Sequence, residues 1–195
     1  MVKKTAKEPE PEVEPLTIGG VVIKERFFHT RVVYETMLYS VNKELIRYEY
    51  PDPEIKENNT LIGIQYQKDI NLLGSINFIF NVGATDLETF GQAQTTASLQ
   101  TLPNLTGGKD KVYAKIKYFK TYVEPRTYGE RLCGLRCYDK DDIVVLEGGW
   151  YDPNYLICKK WTLNDNEQIW GFESYIHKST PGVHYDVVFR IREAI

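Results

Sequence analysis

The stretch ERLCGLRCYDKDDIVVLEGGWYD, residues 130–152, decides the fold class because it has the pattern of two strands joined by a turn. Apolar and β-branched residues stand on both sides of the polar run YDKDD. Asp and Lys between two apolar runs are typical of a hairpin turn rather than of a regular element. The sequence therefore predicts a β-hairpin over this stretch.

The composition and the neighbouring segments extend that prediction to the whole chain. The 195 residues include 14 Tyr, 8 Phe and 3 Trp but only 2 Met, and aromatic residues suit the pleated, half-buried surface of a sheet. Similar apolar segments recur at short intervals: GGVVIKERFF, TRVVYETMLYSV, NTLIGIQYQ, LLGSINFIFNV, YAKIKYFKTYV, LICKKWTL, QIWGFESYI and HYDVVFRIR. We predict an all-β, β-prism or sandwich-like single domain of roughly 10–12 short strands.

Two segments depart from this strand-rich pattern. Residues 1–16 contain EPEPEVEP, in which prolines lack donors and glutamates repel one another, so we expect a disordered charged tail before a domain at 17–195. Residues 83–110 are rich in Thr, Gly and Asn in their second half. We predict an exposed loop or short-helix insertion there, with the helix capped by Asp86 or Thr85.

Charge and hydropathy exclude several classes of partner. The formal net charge is −3, and no run of Lys and Arg exceeds two residues, so no basic face for nucleic acid is expected. No apolar run approaches the ~20 residues of a membrane span. Charges stand where a signal peptide needs its apolar core. We therefore expect an intracellular, cytoplasmic protein without a membrane span. Its expected partners are proteins, with carbohydrate as the alternative.

The three cysteines are Cys133, Cys137 and Cys158, an odd number that favours reduced thiols. Cys133 and Cys137 stand four residues apart on a predicted strand, so they are expected on the same side of it. They could be a thiol or metal pair, but the three histidines do not cluster near them in sequence. Because free cysteines commonly act as small buried residues, we expect a structural role, no metal and no cofactor.

A short pattern recurs three times, as NTLIGI at 59–64, ERLCGL at 130–135 and EQIWGF at 167–172. Each copy has a branched apolar residue two positions before a glycine, which is Gly63, Gly134 or Gly171. A glycine inside a strand usually marks a bulge or a close backbone approach. The pattern either marks equivalent strands in three similar sheets or recurs by chance in a β-rich chain.

The C-terminal third, LCGLRCYDKDDIVVLEGGW and CKKWTLNDNEQIWGFESYIHKSTPGVHYDVVFRIR, resembles the closing half of jacalin-related lectins. The carriers of this resemblance are QIWGF in the middle and GVHYD, a Gly-x-x-x-Asp spacing, before the last strand. The resemblance implies a β-prism of three four-stranded sheets. It also implies a loop at residues 182–186 that binds sugar hydroxyls.

By that resemblance, the Asp186 carboxylate would accept two hydroxyl hydrogen bonds, a charge-assisted interaction. The amides of His184 and Tyr185 would donate, and Gly182 would allow the tight turn. A second match to the spacing, GGWYD, contains Gly148, Trp150, Tyr151 and Asp152. These eight residues are the candidate ligand-binding rim, and ordinary turn and strand-edge chemistry is the alternative for all of them.

Three functions remain open from the sequence. The first is a non-catalytic β-rich structural or interaction protein that works as a subunit of a larger assembly, favoured by the tail, the 83–110 segment and the many tyrosines. The second is a jacalin-like carbohydrate-binding module. The third is an enzyme, for which His177 or His184 with Cys158 would supply a nucleophile pair, although no familiar catalytic motif is present.

Overall fold

The computed structural model describes residues 16–18, 21–23, 25–30, 45–50, 60–67, 75–82, 86–90, 98–106, 112–126, 129–177 and 180–193. Within these ranges every regular element is a β-strand, so the predicted all-β class is confirmed. The described ranges contain fourteen strands, more than were predicted. They are β1 Leu16–Ile18, β2 Val21–Ile23, β3 Glu25–His29, β4 Leu45–Tyr50, β5 Thr60–Gln67, β6 Ser75–Val82, β7 Asp86–Phe90, β8 Ser98–Thr101, β9 Tyr118–Arg126, β10 Gly129–Tyr138, β11 Val144–Gly149, β12 Ile157–Thr162, β13 Glu167–His177 and β14 Thr180–Glu193.

The strands form antiparallel sheets of two, eight and four strands in the described part of the chain. β1 pairs with β2, and the four-stranded sheet has the order β7-β6-β5-β8. The large sheet has the order β12-β9-β10-β14-β13-β4, with β11 also paired to β10 and β3 also paired to β14. Because β10 and β14 each change neighbour along one edge, the large sheet curls instead of lying flat.

The core lies between the curled sheet and the four-stranded sheet. Phe78 of β6 packs against Phe172 and Phe189 of the large sheet, with ring centroids 4.6 and 5.9 Å apart. All three side chains are buried, together with Leu61, Ile64 and other apolar residues of both sheets. This is the sandwich-like arrangement rather than three four-stranded sheets, since β9 to β14 all belong to one sheet.

The predicted short helix in the 83–110 segment is wrong where the structure describes that segment. Asp86–Phe90 forms β7 on the edge of β6, and Ser98–Thr101 forms β8 on the edge of β5. The capping signal predicted that backbone N–H and C=O groups here would bond within a helix. They bond to a neighbouring strand instead, so tertiary pairing overrides the local preference. Thr85 and the predicted tail up to residue 15 lie outside the described residues, and Leu16 belongs to β1.

The three repeat glycines share one local structure. Each follows an extra residue that has no partner in the adjacent ladder, so Gly63, Gly134 and Gly171 all stand at β-bulges. The prediction of a bulge is therefore confirmed. The prediction of three separate sheets is wrong, because β10 and β13 share the large sheet. The extra residues are Ile62, Cys133 and Trp170, and all are buried.

Within the large sheet, side chains of β3 contact side chains and backbone of β12. Phe28 stacks on Trp161 with centroids 5.0 Å apart, and the Arg26 guanidinium donates to the Thr162 carbonyl at 3.3 Å. Lys159 Nζ donates to the Thr30 carbonyl. We call these contacts the β3–β12 seam. An inward-facing lysine is one way in which edge strands avoid pairing with other chains.

Candidate functional site

Asp186 lies inside a strand and not in a loop, so the predicted turn at 182–186 is wrong. Gly182 and Asp186 both belong to β14, and the ladder between β13 and β14 shifts register beside Asp186. The φ angle of Asp186 is 46°, a left-handed conformation that Asp tolerates better than most side chains. Pro181 and Gly182 are typical turn residues and led to the prediction of a turn. The ladder between β13 and β14 nevertheless continues past them to Thr180.

The Asp186 carboxylate is directed into the protein. The residue is 7% exposed, and its Oδ1 accepts a hydrogen bond from the Glu130 amide at 2.8 Å. This bond joins β14 to the start of β10, next to the single residue pair, Arg131 with Tyr185, that connects the two strands. Asp186 therefore fastens two neighbouring strands at the point where the large sheet curls.

His184 is buried between the two main sheets, with 2% of its surface exposed. Its Nε2 lies 2.8 Å from the Ile76 carbonyl, and its Nδ1 lies 2.8 Å from Ser174 Oγ. Because a carbonyl can only accept, Nε2 carries the hydrogen and Nδ1 accepts from the serine hydroxyl. Burial lowers the pKa of His184 to about 4, so the ring is neutral at pH 7.

Tyr185 is half-buried, and its backbone pairs with Tyr175 of β13 while that of His184 pairs with Ile176. The amides that the resemblance assigns to a sugar therefore lie in strand positions. Both ring nitrogens of His184 have partners other than a cysteine, since Nδ1 faces the buried Ser174 hydroxyl and Nε2 faces the Ile76 carbonyl. The side chain of His177 lies outside the described residues.

Replacing Asp186 with Ala is expected to lower the free energy of unfolding by about 1–3 kcal/mol, because the buried Glu130 amide loses its acceptor. Asp186→Asn is expected to cost less, since Asn keeps an oxygen acceptor and tolerates positive φ. Urea unfolding of both variants at pH 7 checks this order. Equal stability of the Ala variant and the wild type would contradict the structural role.

The second Gly-x-x-x-Asp match begins with the buried Gly148 inside β11 and continues into a turn after that strand. Trp150 donates its amide to the Cys133 carbonyl at 2.8 Å, which anchors the turn to β10. Asp152 Oδ1 accepts from the Asn154 amide at 2.9 Å, and the Asp152 carbonyl accepts from the Leu156 amide at 3.0 Å. We call residues 148–156 the aromatic turn.

The aromatic turn presents rings to solvent. Tyr155 is 69% exposed and stacks against Trp150, with centroids 5.9 Å apart. The Tyr151 ring lies 3.8 Å beneath the Arg136 guanidinium, and Arg136 Nε donates to Glu147 at 2.8 Å. Burial raises the pKa of Tyr151. Trp150 and Tyr151 of the spacing match are half-buried, and the exposed ring of the turn is that of Tyr155. The sequence reasoning missed Tyr155 and Arg136 because neither lies within the spacing motif.

An open cleft lies at one end of the core, with a volume of about 320 Å³. Its floor is apolar, and its rim carries Lys115 and Asp165, the latter paired with Lys117 at 2.6 Å. The floor residues are Leu61, Leu102, Leu163 and Ile169, each less than 5% exposed. Four distant parts of the sequence meet here, so no local pattern indicated the cleft.

An exposed ribbon forms one side of this cleft. Leu105 donates its amide to the Val112 carbonyl at 2.7 Å, and Ala114 donates to the Pro103 carbonyl at 2.9 Å. We call residues 103–106 with 112–114 the arm. Leu105 is 67% exposed and Val112 is 50% exposed. In the second half of the 83–110 segment, the described residues 99–101 and 103–106 are all exposed.

The cysteines are not disulfide-bonded, but Cys133 and Cys137 do not share a face as predicted. Cys137 packs in the main core, whereas Cys133 packs in a small cluster with Tyr122 and Leu156. The bulge at Cys133–Gly134 adds one residue and so reverses the alternation. Burial raises the pKa of both thiols. Cys158 is exposed on β12.

No group of three or more potential metal ligands occurs in the described ranges. Those ranges also contain no helix long and apolar enough to cross a bilayer. The fold and surfaces thus define a sandwich-like all-β protein with an apolar arm, an open cleft and an aromatic turn.

Comparison with known proteins gives no family for this chain. No family model matches the sequence, and no curated protein matches it. Among solved structures, the Vibrio cholerae biofilm matrix protein Bap1 is similar with a TM-score of 0.42 and 9% sequence identity. The similarity covers 76% of this chain and 23% of Bap1. A likeness of that size carries no argument about function.

Proposed function

We propose that this chain is a non-catalytic β-rich interaction protein that works as a subunit of a larger assembly. The observation that carries the proposal is the arm, where Leu105 and Val112 stand opposite each other and are 67% and 50% exposed. Adjacent apolar side chains that are exposed together are typical of a surface that a protein partner covers. Val112 also lines the cleft, so the apolar surface of the arm continues into it.

The test is affinity purification of the tagged full chain from its own cells. The double variant L105S/V112S is expected to lose a stoichiometric partner, because it removes apolar area that the partner would bury. Ile143→Ser is the matched control, since Ile143 is 60% exposed at the β10–β11 turn. Retention of every partner by the double variant, or equal loss from the control, would contradict the proposal.

A second candidate function is carbohydrate binding at the aromatic turn, which the jacalin-like resemblance of GGWYD supports. The specific observation is the stacked pair of Trp150 and Tyr155, in which Tyr155 is largely exposed. An aromatic ring at the surface can pack on the apolar face of a sugar ring.

A glycan array tests this second candidate with the wild type and Tyr155→Ser side by side. Tyr155 is exposed, so its replacement leaves the core unchanged. Binding by the wild type that is lost in the variant would support a lectin, and no binding by either would reject it. Asp186→Ala is unsuitable here because Asp186 is buried and bonded to Glu130.

A further inference from the structure

We propose that the cleft binds an extended peptide of a partner protein through an apolar side chain that is flanked by a carboxylate. The inference rests on the proposed function and names the chemistry of the partner segment. Neither the sequence motifs nor the aromatic turn assigns anything to this cleft.

The size and floor of the cleft suit one apolar side chain with its adjoining backbone. The volume is about 320 Å³, at the lower end of the range for ligand pockets. The apolar lining that solvent reaches belongs to Val112, Tyr113 and Ile116. Beneath it, the floor consists of Leu61, Leu163 and Ile169, each 1% exposed. These residues come from β5, the β12–β13 turn and β13, so the floor belongs to both sheets. A bound apolar group would displace water from the exposed apolar lining above this floor.

The charges of the rim favour an acidic partner. Among the described residues, Lys115 and Lys117 stand against Asp165, which leaves one positive charge there. Glu167, which also lines the cleft, is paired with Arg26 and contributes no surplus charge. The two lysines hold the pKa of the Asp165 carboxyl below its usual range, mainly through the Lys117 hydrogen bond. Lys115 is exposed, and its Nζ, which donates to the Asp165 carbonyl at 3.5 Å, is the cation placed to meet a carboxylate from the partner.

The surroundings of the cleft favour a peptide over a compact small molecule. Apolar surface continues beyond the cleft from Val112 to Leu105, so the complementary surface is longer than the cavity. Lys115 and Ile116 border the cleft outside any strand, between the arm and the start of β9. An extended segment can lie along such a border with its alternate side chains directed toward and away from the floor.

The experiment is a fluorescence anisotropy titration of the full chain with three labelled peptides, GSELESG, GSQLQSG and GSKLKSG. The acidic peptide is expected to bind about fivefold more tightly than the amide peptide, and the lysine peptide more weakly than both. Higher salt is expected to reduce the preference for the acidic peptide. Equal binding of all three, or none, overturns the inference.

Lys115→Gln is expected to abolish the preference between GSELESG and GSQLQSG while leaving the binding of GSQLQSG unchanged. Lys140→Gln is the matched control, because Lys140 is exposed in the β10–β11 turn and does not line the cleft. An unchanged preference in Lys115→Gln overturns the inference. If the arm variant loses its cellular partner but no peptide binds, the proposed function stands and this inference alone fails.

Discussion

Replacing His184 with Gln is expected to remove most of a stability loss that the wild-type chain shows as the pH falls from about 6.5 toward 4. The folded protein holds this ring neutral between Ser174 and the Ile76 carbonyl, with a pKa near 4 against 6.5 for a free histidine. The unfolded chain takes up its proton first, so acid favours the unfolded state over this interval. Above pH 6.5 both states are neutral, and the contribution no longer changes.

The expected size of this effect is about 3 kcal/mol, since one pKa unit corresponds to about 1.4 kcal/mol. Protonation would deprive Nδ1 of its acceptor role toward Ser174 while placing a charge beside Phe78 and Phe172. Gln at this position has an amide that can donate and accept but cannot be protonated near pH 5.

Urea unfolding of the wild type and His184→Gln at several pH values from 7.5 to about 4 measures the effect as a difference between two profiles, which cancels most other titrating groups. His29→Gln is the matched control, because it makes the same change at an exposed histidine. Parallel profiles for wild type and His184→Gln would show that this ring does not couple stability to pH.

Gly149→Ala is expected to lower the free energy of unfolding by more than about 3 kcal/mol. The φ angle of Gly149 is 117°, which side chains rarely adopt. An added Cβ would also lie 2.5 Å from Gly134 Cα and closer still to the Cys133 carbonyl. Both obstacles are backbone atoms at the bulge of β10, so relief requires β10 and β11 to separate.

Gly148→Ala is the control for that change. Its added Cβ would meet Ile64 Cγ2 at 2.6 Å, a side-chain methyl, and its φ is not in the left-handed region. We therefore expect a smaller loss than for Gly149→Ala. Thermal unfolding of the two variants gives the comparison, and a Gly148 variant as unstable as the Gly149 variant would contradict the argument from backbone strain.

The hairpin within residues 130–152 was predictable because its signal is local. Its apolar runs became β10 and β11, and its polar run became the turn, where Asp139 Oδ1 accepts from the Asp141 and Ile143 amides. The glycine pattern also predicted bulges correctly, since a bulge depends on a few adjacent residues. Sheet membership was not predictable, because it depends on pairing between distant segments.

The alternation in YAKIKYFKTYV shows where local reasoning fails. It predicts a strand from residue 113, yet β9 begins at Tyr118. Ala114 instead donates to Pro103 in the arm, and Lys117 donates to the Tyr138 carbonyl. The alternation is present, but the first part of the segment pairs with residue 103 of the arm instead of extending β9. The cleft likewise depends on which distant segments come together, so it had no sequence signal.

The pairing of β3 with β14 has a consequence for the order in which the protein is assembled. Residues 25–29 form their ladder with residues 188–192, so β3 cannot acquire this partner until nearly all of the intervening chain has been synthesised. Contacts of such long sequence separation slow folding. Before β14 has been synthesised, only the β12 side of the β3–β12 seam can be in place. At that stage β3 lacks its ladder partner, and its apolar Phe28 has no neighbouring strand. We therefore expect the β3–β14 ladder to form later than the local ladders β9–β10, β10–β11 and β13–β14.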